Sequence, residues 1–137
     1  MSIKTLLTPE KKRLLDAARG ALARTYAPYS GVKVGAAVLT AKGQVFSGGN
    51  VENASYGLTL CAERAAIVQA VAAEGADMRI RAIAVVSDQP GLFSPCGACR
   101  QVILEFGPEA LVIFQGEEGL MEVPISELLP YAFSLRK

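Results

Sequence analysis

All three cysteines of the chain lie in two short stretches, Cys61-Ala62-Glu63-Arg64 and Pro95-Cys96-Gly97-Ala98-Cys99-Arg100. Thiolates are soft ligands that suit zinc. A structural zinc site normally takes four Cys or His ligands, whereas a catalytic site takes three and leaves one position open. The sequence has no histidine, so one chain cannot complete a four-ligand Cys/His site. The residue count therefore predicts an open, catalytic zinc site held by Cys61, Cys96 and Cys99.

The absence of histidine also restricts the acid/base chemistry of the chain. It excludes Ser-His-Asp triads, Cys-His proteases and HExxH zinc hydrolases. Any general base must then be a carboxylate, a lysine or a tyrosine. Glu63 is the closest carboxylate in sequence to the proposed ligands. We therefore predict that Glu63 stands beside the metal as an acid/base without binding it.

Both cysteine stretches lie at predicted helix starts. Ser94 is a preferred N-cap residue and Pro95 a preferred first helical residue, so a helix is expected from there to Phe106, before Gly107. A second helix is expected over residues 59–74, with the first cysteine stretch in its first turn. The positive end of a helix dipole favours thiolates. Two helix N-termini are thus expected to face one ion.

A Cys-x-x-Cys pair alone is also compatible with other roles for the two cysteines. It is also found in redox dithiols, in fragments of structural zinc sites and as two buried small residues. Pro-Cys-x-x-Cys at a helix start, preceded by a Cys-x-Glu at its own helix start, is more specific. With His or Cys as the first ligand, this arrangement is the signature of zinc deaminases.

The sequence resembles the cytidine deaminase family, and within it the small homotetrameric class that has three cysteine ligands. The resemblance runs from about Tyr26 to Phe133. The first cysteine stretch carries the resemblance, and so does the second, which here extends over residues 94–102. The other matching segments are Tyr26-Ala27-Pro28-Tyr29-Ser30, Val34-Gly35-Ala36-Ala37, Asn50-Val51-Glu52-Asn53-Ala54-Ser55-Tyr56 and Glu127-Leu128-Leu129-Pro130.

The resemblance implies the activity and its cofactor. The expected reaction is the zinc-dependent hydrolytic deamination of cytidine and 2′-deoxycytidine to uridine and 2′-deoxyuridine, with release of ammonia, in pyrimidine salvage. One zinc ion per chain is expected. By the same resemblance, Glu63 takes a proton from the water, protonates N3 of the base and later protonates the departing ammonia.

The resemblance also implies the residues around the substrate. Glu52 is expected at the 3′-hydroxyl of the ribose, and Phe133 is expected to reach into the pocket of a neighbouring subunit, so that a homotetramer completes each site. Arg64 and Gln101 are expected to support the thiolate ligands. The full set expected to contact substrate is Asn50, Glu52, Ala54, Tyr56, Ala62 and Phe133.

The order of predicted elements indicates a layered α/β fold. After a first helix from Thr8 to about Thr25, the strands are expected over residues 32–40, 44–49, 81–87, 110–114 and 120–123, followed by a short helix within 126–133. Alternating strands and helices imply crossover connections, with both metal loops at the carboxyl edge of the sheet. The resemblance implies a three-layer α/β/α fold with a mixed five-stranded sheet and helices on both faces. We expect one domain over residues 1–137.

Composition restricts the partners. A net charge of +1 without a basic stripe argues against a nucleic-acid partner. The sequence shows neither a signal peptide nor an apolar run long enough to cross a membrane, and three cysteines are an odd number for a disulfide framework, so a soluble, cytoplasmic protein is expected. The hydrophobic fraction of 51% and mean hydropathy of +0.31 are high for a small monomer, which favours buried subunit interfaces.

Three other functions remain open at this point. A related deaminase could act on a cytosine-containing nucleoside antibiotic, but the paired Asn50 and Glu52 and the arginine after Glu63 favour an ordinary nucleoside. A polynucleotide-editing deaminase usually has a histidine as its first ligand and a basic substrate channel. A non-catalytic, zinc-stabilised scaffold would need no acid/base residue at position 63.

One position departs from the family pattern. The family usually has an aromatic residue two positions before Val34, packed against the pyrimidine, and this chain has Val32 there. Because aromatic pairs contribute ~0.5–1.5 kcal/mol beyond their area burial, weaker ground-state binding of the base is expected. Val32→Phe is predicted to lower KM for cytidine in steady-state kinetics. An unchanged KM would mean that this side chain does not touch the base. Phe93 or another aromatic residue could compensate for the missing ring.

Overall fold

Five strands form one mixed sheet in the computed structural model, which describes residues 8–135. The strands are β1 Val34–Thr40, β2 Val45–Gly49, β3 Ile80–Ser87, β4 Leu111–Gly116 and β5 Gly119–Pro124. The α-helices are α1 Thr8–Gly20, α2 Ala62–Glu74, α3 Gly97–Phe106 and α4 Ile125–Leu128, with 3₁₀ turns at Ala21–Arg24, Tyr56–Leu58 and Gly75–Asp77. No helix in this part of the chain is both long and apolar enough to span a membrane.

The strand order is β2-β1-β3-β4-β5, and only the β3–β4 pair is parallel. Val34 at the start of β1 pairs with Ser87 at the end of β3, while Gly35 pairs with Gly49 at the end of β2. The carboxyl ends of β2 and β3 therefore meet at one edge. The chain leaves that edge towards α2 and α3, so the predicted placement of both cysteine segments at a carboxyl edge is confirmed.

Alternation along β1 divides the core between the two faces of the sheet. Ala36 and Val38 belong to the cluster that includes residues of α2, α3 and α4. Ala37 and Leu39 point the other way and belong to the cluster formed with α1. All four side chains are fully buried. Helices thus cover both faces of the sheet, as the three-layer α/β/α prediction requires.

Two glycines bring helices unusually close to the sheet. A Cβ atom on Gly35 would lie 2.1 Å from the main-chain oxygen of Ala18 in α1, and one on Gly48 would lie 2.6 Å from the main-chain nitrogen of Ala66 in α2. A glycine in a strand often marks the close approach of a ligand or of another backbone. At Gly35 the structure shows that α1 occupies this space.

The start of α3 was predicted wrongly. The helix begins at Gly97 with Cys96 as the N-cap, rather than at Ser94 and Pro95. The Arg100 side chain donates hydrogen bonds to the Ser94 hydroxyl (3.3 Å) and the Pro95 carbonyl (2.7 Å), which holds these residues in a loop. These side-chain contacts therefore override the capping preference of Ser94 and Pro95.

The start of α2 was also placed too early. The helix begins at Ala62 with Cys61 as its N-cap, three residues after the predicted Thr59. Leu60 and Val51 exchange two main-chain hydrogen bonds of 2.8 and 2.9 Å, so the approach to Cys61 is extended. The predicted helix end at Glu74 agrees with the structure.

Candidate active site

The three cysteine sulfurs form a compact group. All lie within 4.8 Å of one another, and the Sγ atoms of Cys61 and Cys96 are 3.9 Å apart. A tetrahedral zinc ion with Zn–S bonds of about 2.3 Å has its sulfurs about 3.8 Å apart. The separation of this pair thus already fits a shared zinc ion.

Each thiol is delivered by a different local feature. Cys61 is the N-cap of α2 and Cys96 is the N-cap of α3, with extended backbone at both positions. Cys99 lies in the first turn of α3 and is fully buried. No cap hydrogen bond involves the sulfur of Cys61 or Cys96 within the described chain. The sulfurs are therefore available to bind a metal ion, and they lie beside the positive ends of two helices.

Without a metal, these thiols share protons unequally. The hydrogen bond from Cys99 and the nearby Arg64 guanidinium lower the pKa of the Cys61 thiol to about 5. The same hydrogen bond to Cys61, together with burial, raises the pKa of Cys99. A proton on Cys99 thus stabilises a neighbouring thiolate. A soft dication suits this donor set, because it would replace that proton and serve all three sulfurs.

Arg64 approaches the sulfurs as the sequence suggested. Its Nη2 atom donates to the Sγ atom of Cys61 over 3.3 Å. Its Nε atom is buried and has no hydrogen-bond partner in residues 8–135. Gln101, predicted to have a similar supporting role, makes no side-chain hydrogen bond to the cysteines in the same range. The geometry therefore brings Arg64, but not Gln101, to the thiols.

Glu63 is a buried carboxyl group in the first turn of α2, with 5% of its surface exposed. Burial, reinforced by the negative charge on Cys61, raises the pKa of Glu63 to about 7. A cation held by the thiols would favour the ionised form. Glu63 is therefore suited to exchange protons near neutral pH.

A pocket of about 210 Å³ opens over the thiols. It brings together the predicted residues Asn50, Ala62 and Glu63 with Cys61 and Cys96. Val34, Thr59, Val85 and Ser94 also line the wall, although their residue types gave no sign of it, and so does Phe93, which was expected only as a possible substitute aromatic. The complete lining is Val34, Asn50, Thr59, Cys61, Ala62, Glu63, Val85, Phe93, Ser94 and Cys96.

The side chain of Asn50 supports the pocket wall. Its Oδ1 atom accepts a hydrogen bond from the Val34 N–H (2.9 Å), and its Nδ2 atom donates to the Val32 carbonyl (2.9 Å). The amide retains one N–H and one lone pair beyond these contacts. Asn50 can therefore fix the start of β1 and still offer polar atoms to a ligand.

Glu52 is held by the loop before β1. Its Oε1 atom accepts hydrogen bonds from the N–H groups of Tyr29 (2.9 Å) and Ser30 (3.1 Å), and its Oε2 atom accepts one from the Ser30 hydroxyl. These hydrogen bonds lower the pKa of Glu52, and the bond from the Ser30 hydroxyl has the largest effect. Ser30 Oγ also accepts from the Val32 N–H over 3.0 Å. Glu52 and the segment that carries Val32 thus share one hydrogen-bonded loop.

Besides Glu52, which does not line the pocket, three further residues predicted to contact substrate lie outside the pocket of their own chain. Ala54 and Tyr56 are exposed in the segment after β2, with Tyr56 84% exposed. Phe133 is 70% exposed near the end of the described chain. None of the three lines the pocket over the thiols.

Comparison with known families identifies what this arrangement is similar to. Residues 8–115 match the family model described as the cytidine and deoxycytidylate deaminase zinc-binding region. The cytidine deaminase of Halalkalibacterium halodurans is 44% identical over 127 residues, which cover 91% of this chain and 95% of that protein. The cytidine deaminase of Mycobacterium tuberculosis is 46% identical over 115 residues, covering 84% of this chain and 83% of that protein.

Solved structures give the same result. The crystal structure of cytidine deaminase from Burkholderia pseudomallei superposes with a TM-score of 0.81 at 47% identity, covering 89% of this chain and 98% of that one. That of cytidine deaminase from Mycobacterium tuberculosis has a TM-score of 0.79 at 41% identity, covering 91% and 98%. The predicted fold class is confirmed.

The loop around Glu52 generates a pH prediction. Removing the hydroxyl in Ser30→Ala should raise the pKa of Glu52 towards its ordinary value of 4.5, because the hydroxyl stabilises the carboxylate. The stabilisation that this contact gives the fold is present above pH 4.5 and is lost as the pH falls through the lower, folded-state pKa. Carbon-13 NMR titration of the carboxyl group measures the shift, and Ser126→Ala, exposed on α4, should leave it unchanged. Identical Glu52 titrations in wild type and Ser30→Ala would contradict the assignment.

Proposed function

The chain belongs to the cytidine and deoxycytidylate deaminase family, and we propose that Glu63 and the three cysteines carry the hydrolytic deamination of cytidine and 2′-deoxycytidine. The zinc ion of this hydrolase is held by Cys61, Cys96 and Cys99. The observation that carries the residue assignment is the buried carboxyl of Glu63, which lies in the same small pocket as two of the thiols. A carboxyl group with a pKa near 7 has little structural purpose there, since its burial is costly.

Proton transfer is assigned to Glu63. When bound, zinc supplies the Lewis acidity that lets water lose a proton near neutral pH. Glu63 accepts that proton on a carboxylate oxygen and passes it to N3 of the base as the water oxygen adds to C4. Glu63 then carries the second water proton to the 4-amino nitrogen, which leaves as ammonia. Atoms balance, since one water is consumed and one ammonia released.

Positive groups of this chain offset the negative charge of the three thiolates. Three thiolates donate more negative charge than neutral ligands, which weakens the Lewis acidity of the site. The N-terminal ends of α2 and α3 point at the sulfurs, and Arg64 donates a hydrogen bond to Cys61. We infer that these groups reduce the charge donation of the ligands and so sustain water activation.

The pocket favours a nucleoside over a nucleotide. No lysine or arginine is among the residues of the described chain that line it, and Glu52, two residues after the lining residue Asn50, is held as a carboxylate. A 5′-phosphate would have no cationic partner from this set, whereas sugar hydroxyls can pair with Asn50 and Glu52. We therefore assign cytidine and 2′-deoxycytidine as substrates rather than deoxycytidylate.

We further propose a homotetramer in which neighbouring subunits complete each pocket. Phe133 is 70% exposed and does not line the pocket of its own chain, so only a second chain can bring this aromatic to the base. Tyr56, Leu58 and Tyr131 are also large and exposed, at 84%, 70% and 107%. Burial of these side chains against a second chain would remove apolar area from water.

The cellular setting follows from the chemistry. We propose that the protein acts in the cytoplasm in pyrimidine salvage, where a reducing environment keeps the three free cysteines available for zinc. Recovery of the activity in a secreted or membrane fraction, and not in the cytoplasmic fraction, would contradict this location.

Replacing the proposed acid/base tests the mechanism. Glu63→Gln should lower kcat by at least about 100-fold, because the amide cannot accept the water proton, while zinc content and fold remain. Steady-state kinetics, metal analysis and circular dichroism measure these effects. Glu118→Gln, on the exposed turn between β4 and β5, is the matched control and should keep full activity. Turnover surviving in Glu63→Gln would refute the proton-transfer assignment, and an inactive wild type that binds zinc would support the scaffold alternative.

Subunit mixing tests the shared pocket. Glu63→Gln should be inactive, and Phe133→Ala should have a raised KM because the base loses an aromatic contact. When the two variants are co-expressed and purified together, about a quarter of the sites should combine an intact Glu63 with an intact Phe133 from a neighbour. Cytidine KM and kcat of the mixture measure this recovery. Activity no greater than the average of the separate variants, or a monomer by sedimentation, would contradict the shared site.

A further inference from the structure

The loop of residues 88–96 connects β3 to α3 and delivers Cys96. This cysteine differs from the other two ligands, because it is exposed and lies at the end of the loop, whereas Cys99 is fixed within the helix. Cys61 follows a segment that is already paired with Val51. The position of the Cys96 sulfur therefore depends on whatever holds this loop.

Gln115 on β4 makes one hydrogen bond to Ser87, the last residue of β3, and three to the loop as far as Phe93. Its side-chain oxygen accepts a hydrogen bond from the Ser87 N–H (3.2 Å), and its side-chain nitrogen donates to the carbonyls of Gln89 (2.6 Å) and Gly91 (3.1 Å). Its main-chain oxygen accepts one from the Phe93 N–H (2.8 Å). A single residue on the sheet thus fixes the path of the loop from β3 to the pocket wall.

Arg100 on α3 binds the last residues of the loop before Cys96. Its Nε atom donates to the Pro95 carbonyl (2.7 Å), and its Nη2 atom donates to the Ser94 hydroxyl (3.3 Å). Its Nη1 atom donates to the Leu128 carbonyl at the end of α4 (2.9 Å). All three side-chain nitrogens of Arg100 have partners. The two loop residues that they bind, Ser94 and Pro95, immediately precede Cys96. The guanidinium fork therefore fixes the final residues before the ligand.

Both side chains are partly buried and hold main-chain groups that secondary structure leaves unpaired. Neither Gln115 nor Arg100 lines the pocket, and neither donates to a cysteine sulfur in the described range. They are thus placed to act through the loop. A loop already ordered before the metal binds loses little conformational freedom when the metal does bind.

We propose that Gln115 and Arg100 are positioning residues that hold Cys96 at the zinc-binding arrangement before zinc arrives, and so set the zinc affinity. This inference rests on the zinc centre described above. It accounts for how the loop brings the Cys96 sulfur to 3.9 Å from the Cys61 sulfur. It also explains why a serine and a proline that should begin a helix remain in a loop.

Zinc affinity of two variants tests the proposal. In Gln115→Glu a carboxylate replaces the amide N–H group, so the hydrogen bonds to the carbonyls of Gln89 and Gly91 are lost. In Arg100→Lys a single ammonium group cannot reproduce the three hydrogen bonds of the guanidinium. The full-length protein is stripped of metal, and zinc binding is measured in competition with a chromophoric chelator. Both variants should bind zinc about 10–100-fold more weakly. Gln44→Glu, in the β1–β2 turn, and Arg19→Lys, exposed on α1, are matched controls that should bind as wild type does.

Cobalt substitution provides a readout that loss of stability alone does not change. Cobalt held by three thiolates gives visible d–d bands and near-ultraviolet thiolate charge-transfer bands. Removal of the ligand in Cys96→Ser should diminish the charge-transfer bands. Gln115→Glu and Arg100→Lys should show altered band positions or intensities at saturating cobalt, because the Cys96 sulfur no longer has one fixed position.

The outcomes separate this inference from the zinc centre itself. Zinc dissociation constants within twofold of wild type and unchanged cobalt spectra, even with a lowered Tm, would show that both residues only stabilise the fold and would overturn the proposal. If Gln115→Glu does not fold, Arg100→Lys decides by the same criteria. A wild-type chain that binds neither zinc nor cobalt would overturn the metal centre and this inference with it.

Discussion

The meeting of three sulfurs within 4.8 Å is the constraint on which the rest of the molecule depends. The cysteines come from two segments separated in sequence by 35 residues, at Cys61 and Cys96. They meet because β2 and β3 end at the same edge of the sheet, each followed by a loop and a helix. The close packing of α2 on Gly48 and of α1 on Gly35 fixes the layers that define this edge. The site is thus a consequence of strand direction and of small residues under two helices.

Charge is the second organising feature. Three thiolates and a buried carboxyl in one small pocket would repel one another in an apolar interior. Two helix N-termini and the hydrogen bond from Arg64 oppose that repulsion, and a dication completes the balance. The same burial that makes Glu63 costly gives it a pKa of about 7, which is the property that acid/base chemistry at neutral pH requires.

Local patterns predicted the ligand set, the order of elements and the carboxyl-edge location, because residue type, spacing and hydrophobic alternation are all encoded within short windows. They did not predict features that arise from specific side-chain hydrogen bonds or from a second chain. Ser94 and Pro95 have the local character of a helix start, but Arg100 holds them in a loop. Gln115 has the sequence character of an ordinary strand residue, but it makes hydrogen bonds to three groups of the loop and to Ser87 at the end of β3. The expected role of Phe133 depends on a second chain, which no property of a single sequence window specifies.

The most direct test is the ultraviolet absorbance of cytidine incubated with the purified protein, once loaded with zinc and once stripped of metal. The account predicts conversion to uridine by the loaded protein, its loss when the metal is removed, and its return when zinc is restored. A folded sample that contains about one zinc per chain and leaves cytidine unchanged would contradict the account.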